Sequence, residues 1–572
     1  MKLILHYIRP YVSKMSFGLM IKFIGTIMDL LLPWILAHII DNVIPLKDTH
    51  LILYWGLAML LASVTAVVFN IVANRMASAV ARDSTETLRH DLFEKIAYLS
   101  ANQIDKYGVS TLVSRLTTDT YNVNTTIGRM QRIGIRAPIL LLGGILVTLK
   151  LDPVLTLVLL AAMPFIVITV YFISKIGIPQ FSQLQTEVDH LIQIVRENIT
   201  GARVIKALSK EQYENRRFEA TNEKVVVAET KANLTMAINS PLMNLILNIS
   251  LTLVILVSAY RVNAGMTQPG VIIAFMSYFT IILNAMLSIT RIFVIMSRGI
   301  ASADRIEIIL NEEEDLQLMK LDMIETEQHI EFEHVSFAYY HQKNTLNDIH
   351  FSVKEGETLG IIGPTGSGKT TIIKLLMRLY DVEQGTIRIK GQNIKSIPKD
   401  ELYAMFGVAF QKDFLKTDSI QGNIDFGRGL NLNRIHQSTG FAQADEFIDS
   451  LDDGLQHAVH AKGSNLSGGQ KQRLIVSRAL AGSPDILILD DSSSALDYQT
   501  DAKLRQAIHQ NFKLTTKIII AQRISSIQHA DHIMVLENGR IQGFGNHQTL
   551  LASNEHYRHI NQSQMGGGIH AE

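Results

Sequence analysis

Apolar and charged positions are unevenly spread along the chain. Residues 51–73, 153–174, 232–260 and 262–290 contain no Asp, Glu, Lys or Arg. Crossing a bilayer takes about 20 such residues, so each stretch predicts a membrane span. Residues 17–40 are interrupted by Lys22 and Asp29, and residues 134–149 carry Arg136 near their start. Basic groups near a helix end can snorkel to the interface, so both segments are read as spans, making six. The long connections 75–132 and 175–231 lack Gly/Pro clusters. Leu88, Leu92, Ile96 and Leu99 recur at three- and four-residue spacing, which predicts helical hairpins continuing the spans beyond the bilayer. The pattern changes after residue 310. Acidic residues 311–328 read as a linker, residues 329–572 as a soluble α/β unit, and residues 562–572, with Gly566–Gly568, as a mobile tail.

Charge sharpens this picture. The 53 basic residues equal the 53 acidic ones in a chain of 572, which argues against a nucleic-acid binder working through bulk positive charge. With 19% charged and 47% apolar residues, the composition suits membrane spans joined to soluble structure rather than disorder. The absence of cysteine excludes disulfide scaffolds, cysteine-ligated metals and a cysteine nucleophile. Lys2, Arg9 and Lys14 precede the first span, and the two long connections are rich in Lys and Arg. The positive-inside rule then predicts a multi-pass protein of the cell membrane with both termini and the soluble unit in the cytoplasm.

The strongest chemical signal starts at the apolar run Thr358–Ile362. It continues as Gly363-Pro364-Thr365-Gly366-Ser367-Gly368-Lys369-Thr370 and then a helical pattern from Thr371. This is a P-loop in strand–loop–helix context. Glycines turn backbone N–H groups toward phosphate oxygens, Lys369 reaches the β- and γ-phosphates, and Thr370 ligates Mg²⁺. The run ending at Asp490 reads as a buried parallel strand with a carboxylate at its C-terminal edge, placed to hold Mg²⁺. Leu466-Ser467-Gly468-Gly469-Gln470 opens another helix with an anion-binding tip. One nucleotide does not need two such sites, so this one is read as serving an ATP held by a neighbouring subunit.

These motifs, in this order, resemble those of the ABC exporters. The resemblance implies an all-α six-helix membrane domain with long cytoplasmic helical extensions, fused to a cytosolic α/β P-loop ABC ATPase domain that uses ATP and Mg²⁺. It further implies that Tyr339 stacks on adenine and that Gln411 joins Mg²⁺ coordination. By the same resemblance Ser494-Ala495-Leu496-Asp497 crosses a dimer interface. Residues 102–115, with Tyr107 and Arg115, and residues 197–207, with Gly201 and Lys206, resemble the two coupling regions of that family. One of the two reaches the partner's ATPase domain in its domain-swapped members.

Two positions depart from the family pattern. Asp491 stands where a glutamate polarises the attacking water, and Gln522 stands where a histidine faces the γ-phosphate. Asp491 loses one methylene of reach, ~1.5 Å, and glutamine cannot become cationic or shuttle a proton. The pair resembles the degenerate-site subunit of bacterial heterodimeric multidrug exporters. That predicts a second half-exporter with an intact Glu and His, and amphipathic drugs or other hydrophobic small molecules as cargo. A slow homodimer, a lipid flippase and a non-transporting membrane ATP sensor are the rival readings. For cargo contact the candidates are Asp29, in the first span, and Met243, Phe275, Tyr278, Phe279 and Met286, in the last two. Asp29 has a structural reading too, as a partner of Arg291 or as the cap of a kink near Pro33.

Overall fold

The computed structural model describes residues 1–339, 345–411, 413–492 and 495–565. The chain forms two compact units. One comprises Met1–Ala97 and Leu112–Asn311, the other Tyr98–Thr111 and Glu312–Glu572.

The first unit is helical. Six stretches are long and apolar enough to cross a membrane: Lys2–Leu46, Thr49–Ala97, Val109–Leu151, Pro153–Thr200, Glu211–Asn263 and Pro269–Leu310. Each exceeds the ~20 residues a bilayer needs, so the predicted hairpins are continuous extensions of the spans. Local sequence sets the boundaries. Asp152 caps Pro153–Thr200, accepting from the N–H groups of Val154 and Leu155 at 2.9 and 3.2 Å, while Pro153 occupies the first turn. The same carboxylate accepts from Arg261 at 3.0 Å and so ties two helix ends together. On Thr49–Ala97 the apolar positions Leu53, Leu57, Leu60, Leu61 and Val64 are exposed, as expected of a face turned to lipid rather than core. Leu30, Leu159, Ile166, Tyr278, Phe279 and Ile282 form the packed interior of the bundle.

The second unit carries twelve strands among the described residues: β1 (Gln328–Phe337), β2 (Leu346–Lys354), β3 (Thr358–Ile362), β4 (Gln384–Ile389), β5 (Gln392–Asn393), β6 (Phe406–Ala409), β7 (Asp418–Ser419), β8 (Ala458–Val459), β9 (Ile486–Asp490), β10 (Thr516–Ile520), β11 (His532–Glu537) and β12 (Arg540–Gly545). An antiparallel sheet runs β2-β1-β4-β5, and a six-stranded sheet runs β12-β11-β3-β10-β9-β6. The latter is parallel from β11 to β6, with β12 antiparallel at its edge. All five residues of β9 are buried, the signature of a parallel strand covered on both faces.

Two features of this unit refine the sequence reading. Residues 98–111 belong to it, although they lie far upstream in the sequence. Ser100 caps the helix Ala101–Tyr107 through a reciprocal bond pair with Gln103, and Ala101 packs on the main core of the unit. Asp105 accepts from the Tyr380 hydroxyl, and Lys106 and Tyr107 both bond to Glu312. The acidic stretch read as a linker is equally engaged. Asp315 accepts from Ser100, Leu316 is buried, and Arg378 donates to the carbonyl of Gln317 at 2.7 Å. Of the tail 562–572, expected to be mobile, residues 562–565 finish the helix Glu555–Met565, with Gln564 donating to the Gln522 carbonyl at 2.7 Å, and residues 566–572 lie outside the described residues.

Candidate functional site

The central strands of the six-stranded sheet end together. Ile520 is level with Ile361 on one side and Asp490 on the other. Consecutive strands β3, β10, β9 and β6 therefore deliver the P-loop, Gln522, Asp490–Asp491 and Gln411 to one edge. This is the C-terminal edge at which parallel α/β sheets bind ligands.

The loop's shape follows from its glycines. A side chain at Gly363 would place its Cβ 1.9 Å from the Leu536 carbonyl oxygen, so only glycine fits. Gly366 and Gly368 take φ of 83° and 104°, a region L side chains rarely adopt. The helix Lys369–Leu376 starts directly behind them. Thr365 and Gly366 lie exposed on the loop's outer face, while Ser367 and Thr371 are buried. The Lys369 ammonium donates to the carbonyls of Gly363 and Pro364, both at 2.8 Å. Burial pushes its pKa down, against the pull of Asp490 and Asp491.

A triphosphate fits this donor set. The Ser367 hydroxyl is buried with no hydrogen-bond partner, and it sits in a helix-tip loop beside a lysine. Mg²⁺ fits as well. The Thr370 hydroxyl donates to Asp490 at 3.0 Å, which brings two hard oxygen ligands together. No cluster of three or more His, Cys, Asp or Glu suited to a metal occurs among the described residues. Burial, with Asp491 adjacent, holds the Asp490 carboxyl above the usual range, and Thr370 and Lys369 oppose the shift.

Asp491 sits in a left-handed backbone conformation (φ 51°), its N–H donating to Ile520 at 3.0 Å. Its Oδ2 accepts from Gln522 at 2.8 Å and from Gln411 at 3.2 Å. Both residues that depart from the family pattern therefore bond to each other, with Gln411 as third member. Tyr339 packs edge-on against Phe337 and Tyr380, its hydroxyl donating to Thr371 at 3.2 Å, with the Lys374 ammonium 5.3 Å from its ring.

Ser467 caps the helix Gly468–Ala481, accepting from the Gln470 N–H at 3.3 Å while Gln470 accepts from the Ser467 N–H at 2.9 Å. Ser467 and Gly468 are exposed, so this helix tip faces outward, with Gly469 and Gln470 half-buried beside it. Asp497 caps the helix Tyr498–Asn511 through Thr500, which holds its carboxyl below the usual range. Ser494 lies outside the described residues.

The coupling candidates separate. Tyr107 is bonded within the second unit, as above. Arg115 binds Asp119 at 2.8 Å, and Arg305 binds the same carboxylate. Gly201 ends the helix Pro153–Thr200, and Lys206 lies on the short helix Ala202–Ala207, which has no buried residue.

The cargo candidates need correction. Phe275, Tyr278 and Phe279 are buried between helices, and the Tyr278 hydroxyl donates to the Leu30 carbonyl. Met243 and Met286 pack half-buried on the cluster of Tyr278 and Phe279, while Phe275 packs with Leu155 and Val254. Asp29 accepts from Arg136 at 2.8 Å and Asn70 at 3.2 Å, whereas Arg291 donates to the Leu287 carbonyl on its own helix. Nor does Lys22 snorkel. It is 3% exposed and donates to Asn74 at 3.0 Å. A charge-free run marks a span, but it does not say which way an interrupting cation points.

Comparison with known proteins agrees with this geometry. Residues 15–286 match the ABC transporter transmembrane region, and residues 346–494 match the ABC transporter family. The uncharacterized ABC transporter ATP-binding protein YfiB of Bacillus subtilis (strain 168) is 32% identical over 564 residues, covering 98% of each chain. An uncharacterized ABC transporter ATP-binding protein of Mycobacterium tuberculosis (strain CDC 1551 / Oshkosh) is 31% identical over 570 residues, again 98% of each. The solved structure of a bacterial Atm1-family ABC exporter with ATP bound superposes with a TM-score of 0.82 at 22% identity, over 98% of this chain and 99% of that one. With a six-helix membrane unit and a P-loop ATPase unit on one polypeptide, the chain belongs to the ABC transporter family and has the fold of its exporters.

Proposed function

We propose that this chain is one half of a heterodimeric ATP-driven exporter of amphipathic compounds, and that its own P-loop site is the slow one of two. The observation that carries this reading is the engagement of Asp491. A carboxylate that activates water needs a lone pair aimed at it, yet Oδ2 of Asp491 accepts from two glutamine amides. Neither glutamine can carry a proton away. Misplacement on the ~1 Å scale costs on the order of a hundredfold in rate.

Lys369, Ser367 and the loop N–H groups bind the phosphates, while Thr370 and Asp490 hold Mg²⁺, which offsets phosphate charge. The Ser467–Gln470 helix tip keeps the family's residues and serves the nucleotide of the partner subunit. Nucleotide-driven closure of the paired cytoplasmic ATPase units moves the membrane helices through the segments around Tyr107 and Lys206 and opens the cavity outward. Hydrolysis at the partner's site resets it. The orientation, with both termini and the ATPase unit in the cytoplasm of a cell-membrane protein, is supported by the basic residues flanking the spans.

ATPase assays on the purified pair test the asymmetry. Replacing the partner's catalytic glutamate should nearly abolish turnover, whereas Asp491→Ala should lower it far less. Equal losses overturn the assignment, as does brisk ATP turnover by this chain as a stable self-pair.

A further inference from the structure

A cavity of about 1040 Å³ lies wholly within the membrane unit. Four cations line it: Lys22, Arg129, Arg132 and Arg136. No Asp or Glu does. Among the described residues one carboxylate offsets this charge, Asp29, and it is committed to Arg136. Lys22 is bound to the neutral Asn74, and the Arg132 Nε is bound to the carbonyl of Gly128 on its own helix. The Nε of Arg136 is buried and has no acceptor. A second hollow of about 460 Å³ shares Asn74 and adds Arg75 and Arg82, the latter paired with Asp83 at 2.7 Å.

Depth makes this arrangement costly. Arg136 begins the helix Arg136–Leu151 and lies ~22 Å from its far end, less than the ~30 Å an apolar slab spans, while Arg132 and Arg129 lie about one and two turns further toward the basic end. Cations at membrane depth are retained where they face a water-filled path or a ligand. Leu140 and Ile281 add apolar wall beside the charges, and Asn284 adds a neutral donor, while the Ser277 and Thr280 hydroxyls donate to the carbonyls of Ile273 and Met276 on their own helix. A cationic cluster with an apolar wall suits a molecule that is apolar at one end and negatively charged at the other. It does not suit a lipophilic cation.

We infer that this cavity binds the anionic group of an amphipathic organic anion, a carboxylate, sulfonate or phosphate, and that this class is the exported cargo. The inference deepens the export reading above and depends on it only for movement. Binding is therefore measured without ATP, so that a failed asymmetry test leaves it standing.

Two matched probes serve: 8-anilinonaphthalene-1-sulfonate and its uncharged parent N-phenyl-1-naphthylamine. Each is titrated onto the full-length chain in the dimer it forms, held in nanodiscs of neutral lipid, with empty nanodiscs subtracted. The sulfonate should bind at least about tenfold more tightly than the parent. Arg129→Gln, at an exposed position that threatens no packing, and Lys22→Met should each shrink that ratio, while Arg132→Lys should keep it. Equal affinities, a ratio indifferent to Arg129→Gln and Lys22→Met, or tighter binding of tetraphenylphosphonium than of the sulfonate overturns the proposal. Competition by phosphatidylglycerol would identify a lipid headgroup as the source of the anion. Competition by soluble sulfonates but not by that lipid would identify a free anion. Either result upholds the anion site.

Discussion

The contrast between Asp491 and Gln522 rests on single atoms. An aspartate is as acidic as a glutamate, so the loss proposed for this site is one of reach and of proton handling rather than proton affinity. The two positions also bond to each other at 2.8 Å, so neither should be repaired alone. Asp491→Glu combined with Gln522→His is expected to raise ATP turnover at this chain's own site, by up to about a hundredfold. Each single change should give much less. Measuring phosphate release with the partner's catalytic glutamate replaced isolates this site. Both departures were legible in the sequence, because the flanking motifs fix what each position should hold. Their mutual hydrogen bond was not, since strands β9 and β10 become neighbours only in the folded sheet.

At the scale of elements, apolar periodicity located every span and the buried strands β3 and β9. It failed where it had to say what covers a face. Phe275, Tyr278 and Phe279 offered an aromatic surface with no indication of its neighbour, and in the fold that neighbour is the rest of the bundle. Strand β1 offers a test of a different kind. His329 is buried on it, its Nδ1 bonded to the Thr516 hydroxyl at 2.6 Å and its Nε2 without a partner. Burial holds its pKa below the ordinary value, nearby Lys390 adds to the effect, and Glu355 and Asp485 oppose it. The folded state therefore resists a proton that the unfolded chain accepts near pH 6.5. The stability this contributes is full above about pH 6.5 and is lost as the pH falls below it. Thermal unfolding of the full chain at pH 7.5 and 5.5 should show a drop that His329→Gln reduces.

For the whole molecule, the division at residue 310 was visible as a change from charge-free runs to mixed sequence. The resemblance marked residues 102–115 as a coupling region, but the apolar pattern did not show that residues 98–111 pack as part of the second unit. That unit is therefore built from two separated stretches. A fragment starting at Glu312 should be less stable and more prone to aggregate than the same fragment supplied with a peptide of residues 98–111. Size-exclusion chromatography and melting curves would read the difference, and identical behaviour would mean the upstream helix adds nothing. During synthesis that helix emerges some two hundred residues before the surface it docks on, so the first hairpin waits, undocked, for the end of translation. The catalytic half is accordingly no interchangeable C-terminal cassette: a chimaera joined at the apparent boundary would pair a foreign surface with the native helix, and a gene fusion that succeeds must exchange both together.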